Sequence, residues 1–179
     1  RIHGWYDLTQ DLGYDASNQV HFGYSMSMSA NGNRLAVGAP YFDRLSEDIS
    51  NCGAVTIWDW SGNTQSWTQT GNTIQGRAAD DEAGLEAILS ADGSRFAYYE
   101  RSSNDTGRVS IYKVDTPSHV LLQEITNPNI SENSISHERF GRSLACNHDL
   151  TRIVIGCPRN DELVAGDLTT DDNVANGKV

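Results

Sequence analysis

The stretch Phe22 to Pro40, FGYSMSMSANGNRLAVGAP, returns twice more along the chain, and a unit that repeats at a steady interval must bury its apolar surface against its own neighbours. Its first half alternates. Phe22, Tyr24, Met26 and Met28 fall on one side, and Gly23, Ser25, Ser27 and Ser29 on the other, which is the period of a β-strand. Asn31-Gly32 then separates two strand-like runs, the dipeptide expected of a type I′ hairpin turn with positive φ at both central residues. Arg34 to Val37 runs back to Gly38-Ala39-Pro40, where small residues permit close backbone approach and the proline ends the ladder.

The second copy, Ala83 to Glu100, reads AGLEAILSADGSRFAYYE, with Asp92-Gly93 in the turn. The third, Phe140 to Pro158, reads FGRSLACNHDLTRIVIGCP. The anchoring glycines are Gly23, Gly84 and Gly141, a spacing of about 60 residues. Third strands are expected at Gly53–Trp58, Gly107–Tyr112 and Gly177–Val179. Fourth strands are expected at Trp67–Ile74, His119–Ile125 and, from a preceding unit, Trp5–Leu12. Four antiparallel strands per period is the signature of a β-propeller, one sheet per blade. The expected fold is therefore all-β: a propeller segment of about three four-stranded blades with an incomplete ring. Residues 1–21 would be an outer strand of a preceding blade plus a connection. Residues 22–82 would be a full blade, 83–139 a degenerate one, and 140–179 the start of another. Both ends fall inside a unit, so the remainder of a longer polypeptide or other chains would have to complete the ring.

The unit resembles the FG-GAP repeat of integrin α-subunit propellers and of many secreted proteins. Phe22-Gly23 and Gly38-Ala39-Pro40 match both signatures, Phe140-Gly141 and Gly156-Cys157-Pro158 match with one change, and Tyr99-Glu100-Arg101 has lost most of the pattern. The resemblance implies a secreted or cell-surface, non-enzymatic module for adhesion, protein–protein interaction or structural assembly. In integrin-type repeats calcium sits in a D-x-D-x-D-G loop between the first two strands. Here the corresponding turns are too short to supply six or more oxygens, so no cofactor is implied at them. An irregular calcium cage would have to come from Asp161, Asp167, Asp171 and Asp172.

A net charge of −11 and the lack of any Lys/Arg cluster argue against nucleic acid. No apolar run is long enough to span a membrane as a helix. Asn104-Asp105-Thr106 and Asn129-Ile130-Ser131 are glycosylation sequons in expected loops. Of the three cysteines, Cys146 and Cys157 share a hairpin without facing each other, and Cys52 precedes a third strand. The five histidines are scattered, and no serine or cysteine has a nucleophile-elbow context. A second class of function stays open: a secreted hydrolase or a carbohydrate-binding protein, with Trp58, Trp60 and Trp67 as aromatics able to stack on sugars.

In blade topology the links between second and third strands, and those between blades, share one face of the disc. Binding residues concentrate on such loops. These loops are acidic, with Asp43, Asp80, Asp81 and Glu82 among their residues, which suits either cations and basic partners or a solvated surface. The second unit breaks its own rule there. Tyr99 stands at the position of Gly38 and Glu100 at that of Ala39. Burying both would cost about 1–3 kcal/mol in overpacking and would oblige Glu100 to find a partner. Exposure is less costly, so Tyr99, Glu100 and Arg101 are expected to project toward the long-loop face as an interaction site.

Overall fold

The computed structural model describes residues 21–102, 106–126 and 140–157. Ten strands are present there: β1 (Ser25–Met28), β2 (Arg34–Ala39), β3 (Ala54–Ser61), β4 (Ser66–Gln75), β5 (Glu86–Leu89), β6 (Arg95–Glu100), β7 (Arg108–Lys113), β8 (Val120–Thr126), β9 (Ser143–Cys146) and β10 (Ile153–Gly156). They form three antiparallel sheets, ordered β1-β2-β3-β4, β5-β6-β7-β8 and β9-β10. Among the described residues there is no α-helix, only a 3₁₀ turn at Leu45–Glu47. No helix there is long and apolar enough to cross a membrane. The strands expected at Trp5–Leu12 and Gly177–Val179 lie outside the described residues.

Each hairpin is closed by the same side-chain device. Ser29 Oγ accepts from the Arg34 N–H and donates to Asn31 Oδ1, which in turn accepts from the Asn33 N–H. Ser90, Asp92 and Ser94 repeat this in the second sheet, and Asn147, Asp149 and Thr151 vary it in the third. The turns are not type I′. Gly32 and Gly93 have φ of 73° and 74°, whereas Asn31 and Asp92 stay outside the positive-φ region. The Gly32 N–H bonds back to the Ser29 carbonyl, so the polar side chains, and not a second left-handed residue, set the reversal. Leu150 holds the glycine position of the third turn at φ 53°.

The sheets meet through a junction that occurs twice. Ala30 N–H donates to the Ala91 carbonyl and Ala91 N–H to the His148 carbonyl, each at 2.8 Å. Arg34 Nη1 reaches the Gly93 carbonyl and Arg95 Nη1 the Asp149 carbonyl, again at 2.8 Å. Between the first two sheets Ala36, Val55 and Ile57 pack on Ala87 and Leu89; between the second and third Ala97 and Val109 pack on Leu144 and Leu150. On β1 the serine side turns inward. Ser25 Oγ donates to the Gly84 carbonyl and Ser27 Oγ accepts from the Leu89 N–H, leaving Met26 and Met28 exposed. The reason is distance: a Cβ on Gly38 would lie 2.1 Å from the Gly84 oxygen, and only small groups fit so close a contact.

Candidate functional site

The first strand of each sheet opens just after its anchoring glycine, so the next residue of each, Tyr24, Leu85 and Arg142, stands at an equivalent place. These three line a common cleft of about 280 Å³. Its other walls come from the end of β6 and the connections beyond β2 and β6, with Tyr41, Tyr99 and Arg101, and from the β4–β5 link, with Glu82. The cleft thus opens on the face that carries the links between second and third strands and the link from the first sheet to the second. Glycines at 23, 84 and 141 bring the chain in, their N–H groups donating to the carbonyls of Gly38, Tyr99 and Gly156 and fixing the start of each first strand.

Aromatic edges build one wall. The Tyr41 ring meets His21 edge-on at 4.8 Å and Tyr24 edge-on at 6.4 Å, with Tyr24 about half exposed. The lining is also ionic. Arg101 Nη1 donates to Glu82 Oε1 at 2.8 Å, and Glu82 is the more buried of the two. Arg142 is exposed at the rim. Burial holds the nearby Glu86 carboxyl above the ordinary carboxylate range, and the Arg142 charge works against that rise. A pocket lined by both aromatic rings and planar guanidinium groups can take a flat or ring-shaped polar group and can donate several hydrogen bonds to it.

The irregular corner is not exposed as expected. Tyr99 and Glu100 are both buried, and only Arg101 reaches solvent. Room for the Tyr99 ring comes from the third sheet, where a Cβ on Gly141 would lie 2.6 Å from Tyr99 Cδ2; Gly141, by lacking one, accommodates the ring. Glu100 finds its partner across the register in Arg108, whose Nη2 faces Glu100 Oε1. Burial pulls the Arg108 guanidinium below its ordinary value. The corner therefore divides: Tyr99 and Arg101 line the cleft, and Glu100 points into the sheet.

The acidic loop residues serve largely as staples. Asp81 is buried and its Oδ2 accepts from the N–H groups of Arg77 and Ala78, while Asp43 Oδ1 accepts from the Asn51 N–H. Among the described residues no group of three or more His, Cys, Asp or Glu could hold a metal ion. Asn104, Asn129, Asp161, Asp167, Asp171 and Asp172 lie outside the described residues. Cys52 and Cys146 form no disulfide. Cys146 pairs with Ile153 in the β9–β10 register, well away from Cys157. Trp58 is a core residue whose Nε1 donates to Thr56 Oγ1, and Trp60 and Trp67 pack on each other with ring centres 5.5 Å apart. None of the three tryptophans reaches the cleft. Sequence reasoning missed Tyr24, Tyr41 and Arg142; for Tyr24 and Arg142 the signal was the repeated position after the anchoring glycine, occupied by Tyr24, Leu85 and Arg142, which share no chemistry. Compared with known proteins, the chain matches no family model and no curated sequence.

Proposed function

We propose that the chain is a segment of an FG-GAP-type β-propeller, its sheets successive blades, and that it acts as a non-enzymatic module for adhesion, protein–protein interaction or assembly in secretion or at a cell surface. Recurrence of one junction at equivalent residues supports the architecture, since blades stacked about an axis repeat their contacts in this way. The functional half rests on one observation: equivalent positions of three sheets converge on a cleft lined by tyrosine and arginine, residue types enriched at interface hot spots. Other chains or the rest of a longer polypeptide complete the ring. A second reading, a carbohydrate-binding protein or secreted hydrolase, draws on the half-exposed Tyr24 ring beside the Arg101–Glu82 pair.

Binding of the chain to a panel of immobilised extracellular proteins and to a glycan array, alongside a general hydrolase screen, separates these readings. Tyr24→Ala and Arg142→Ala are each expected to weaken protein binding by about 30-fold, the loss of a hot-spot contact near 2 kcal/mol. Binding to glycans alone, or turnover of a glycoside, transfers the cleft to the second reading. Protein binding that both variants leave unchanged removes the cleft from the function.

A further inference from the structure

Between the first two sheets, at their fourth-strand side, a histidine fills a hole in the neighbouring strand. β4 carries a bulge there, because Val55 pairs with Ile74 and Ile57 with Thr70, which leaves Gly71, Asn72 and Thr73 opposite Thr56 alone. Gly71 sits in the bulge with φ 68°, and a Cβ on it would lie 2.4 Å from His119 Cε1 and 2.7 Å from His119 Nε2. His119 belongs to the β7–β8 link of the second sheet. Its backbone N–H donates to Asn72 Oδ1 at 2.8 Å, and its ring meets Phe96 edge-on at 5.1 Å.

The contacts of the ring select its neutral form. Nδ1 accepts from the Asp115 N–H at 3.2 Å, so the single proton of the neutral imidazole belongs on Nε2. Nε2 is buried without a well-formed hydrogen bond among the described residues, and His119 as a whole is 8% exposed. A second proton would enter at Nδ1 against the Asp115 N–H, and its charge would stand where little water reaches. The charged groups nearby offset this only in part. Asp115, on the same link, is held by Lys113 at 3.0 Å; Arg34 of β2 repels a cation, and Asp59 of β3 already accepts from Arg34 and from the Thr70 hydroxyl. β4 and β6 meet the ring with Gly71 and Phe96, which carry no charge, and β7 adds the Tyr112 ring stacked on Phe96. We infer that His119 is an acid-sensitive latch between the first and second sheets: neutral, it fills the β4 bulge and holds Asn72; protonated, it leaves the bulge and lets the two sheets part on that side. Burial is the largest influence and puts the imidazole below its ordinary 6.5, although the Thr70 backbone and the Asp115 charge act the other way. A closed-state value below the open-state one means that the latch holds in full above about 6.5 and weakens as pH falls from there through the closed-state value. No residue of the cleft takes part, so the latch and binding at the cleft stand or fall separately.

Backbone hydrogen exchange of the whole chain from about pH 7.5 to about pH 4.5, each rate corrected for the intrinsic pH dependence of exchange, is the test. In wild type, opening at residues 70–73 and 115–119 is expected to increase by up to about tenfold for each pH unit below about 6.5, while the β6–β7 pairing stays protected. His119→Asn keeps an acceptor near the Nδ1 position and cannot take a proton. It is expected to open these segments more than wild type at neutral pH, since no ring fills the bulge, and to do so independently of pH. Imidazole carbon and nitrogen NMR shifts of wild type give a second measurement that needs no variant: His119 is expected as the Nε2–H tautomer at neutral pH and to titrate below 6.5. Titration of His119 at or above 6.5 in the folded chain overturns the inference. So does opening at the two segments that ignores pH, or a loss of protection that spreads equally through β6–β7. A pH response that His119→Asn retains also overturns it, and assigns the effect to another group such as the buried Glu86 carboxyl.

Discussion

Removing Arg108 tests most directly how the second sheet tolerates its irregular corner. The register that pairs Ala39 with Ala54 in the first sheet pairs Glu100 with Arg108 in the second. The Glu100 side chain is 1% exposed and that of Arg108 19%. Deleting one member of a buried ion pair costs about 3–5 kcal/mol, because the remaining charge keeps its desolvation and loses the attraction that offset it. Arg108 retains some contact with water, which places Arg108→Ala at the low end, about 3 kcal/mol. The double variant Glu100→Ala/Arg108→Ala reproduces the Ala39–Ala54 pair and leaves no charge behind. Its cost is the lost packing of two side chains, about 1–2 kcal/mol. Urea unfolding followed by circular dichroism measures both, provided the m-values agree so that midpoints report stability alone. The signature is an order: the double variant is more stable than Arg108→Ala. If the single variant is the more stable, or the two single effects simply add, Arg108 does not hold the Glu100 charge and the reasoning fails.

Two further outcomes follow from the turns and the close junction. The Ser90 hydroxyl and the Ser94 N–H hold the Asp92 carboxyl at about 2, below its ordinary 3.8. A folded-state value below the unfolded one gives stability that is present above the ordinary value and is lost as pH falls through about 2. Asp92→Asn, which installs the amide that Asn31 supplies in the first turn, is expected to flatten the acid limb of the stability curve in that window, by a modest amount since the group is exposed; superimposable acid limbs for variant and wild type refute this. Gly38→Ala, whose new methyl would meet the Gly84 oxygen at 2.1 Å, is expected to cost about 3 kcal/mol. Gly62→Ala, with nothing within 4 Å, is expected to change stability by no more than about 0.5 kcal/mol. Equal thermal shifts for the two glycine variants would show that the Gly38–Gly84 approach is not tight.

The strands were legible because they carry a period of two and are separated by dipeptides that reverse the chain. β1, β2, β5, β6, β9 and β10 lie in the expected hairpins, and β3, β4, β7 and β8 cover the expected third and fourth strands to within a few residues. Turn type was not legible. Asn-Gly satisfies a type I′ turn in isolation, but Ser29 and Ser90 stand two residues earlier and close a longer loop through their hydroxyls. Nor does alternation say which side is buried. On β1 hydropathy favours the methionine side, yet the serines face in, because the neighbouring backbone is too close for anything larger.

The candidate site divides along the same line. A departure from a repeat is visible in the sequence as soon as the repeat is aligned, which is how Tyr99, Glu100 and Arg101 stood out. What becomes of the departure depends on groups that lie elsewhere in the chain. Tyr99 is accommodated by the missing side chain of Gly141, and Glu100 by Arg108 on the adjacent strand. The corner changes its neighbours and not its exposure. By filling the space that Gly38 leaves to Gly84 in the first junction, Tyr99 brings an aromatic ring to the wall of the cleft beside Arg101, where the regular repeat would offer a glycine and a proline. The irregular sheet thus adds a ring and a guanidinium group to the cleft that the regular repeat would lack, through packing against the third sheet.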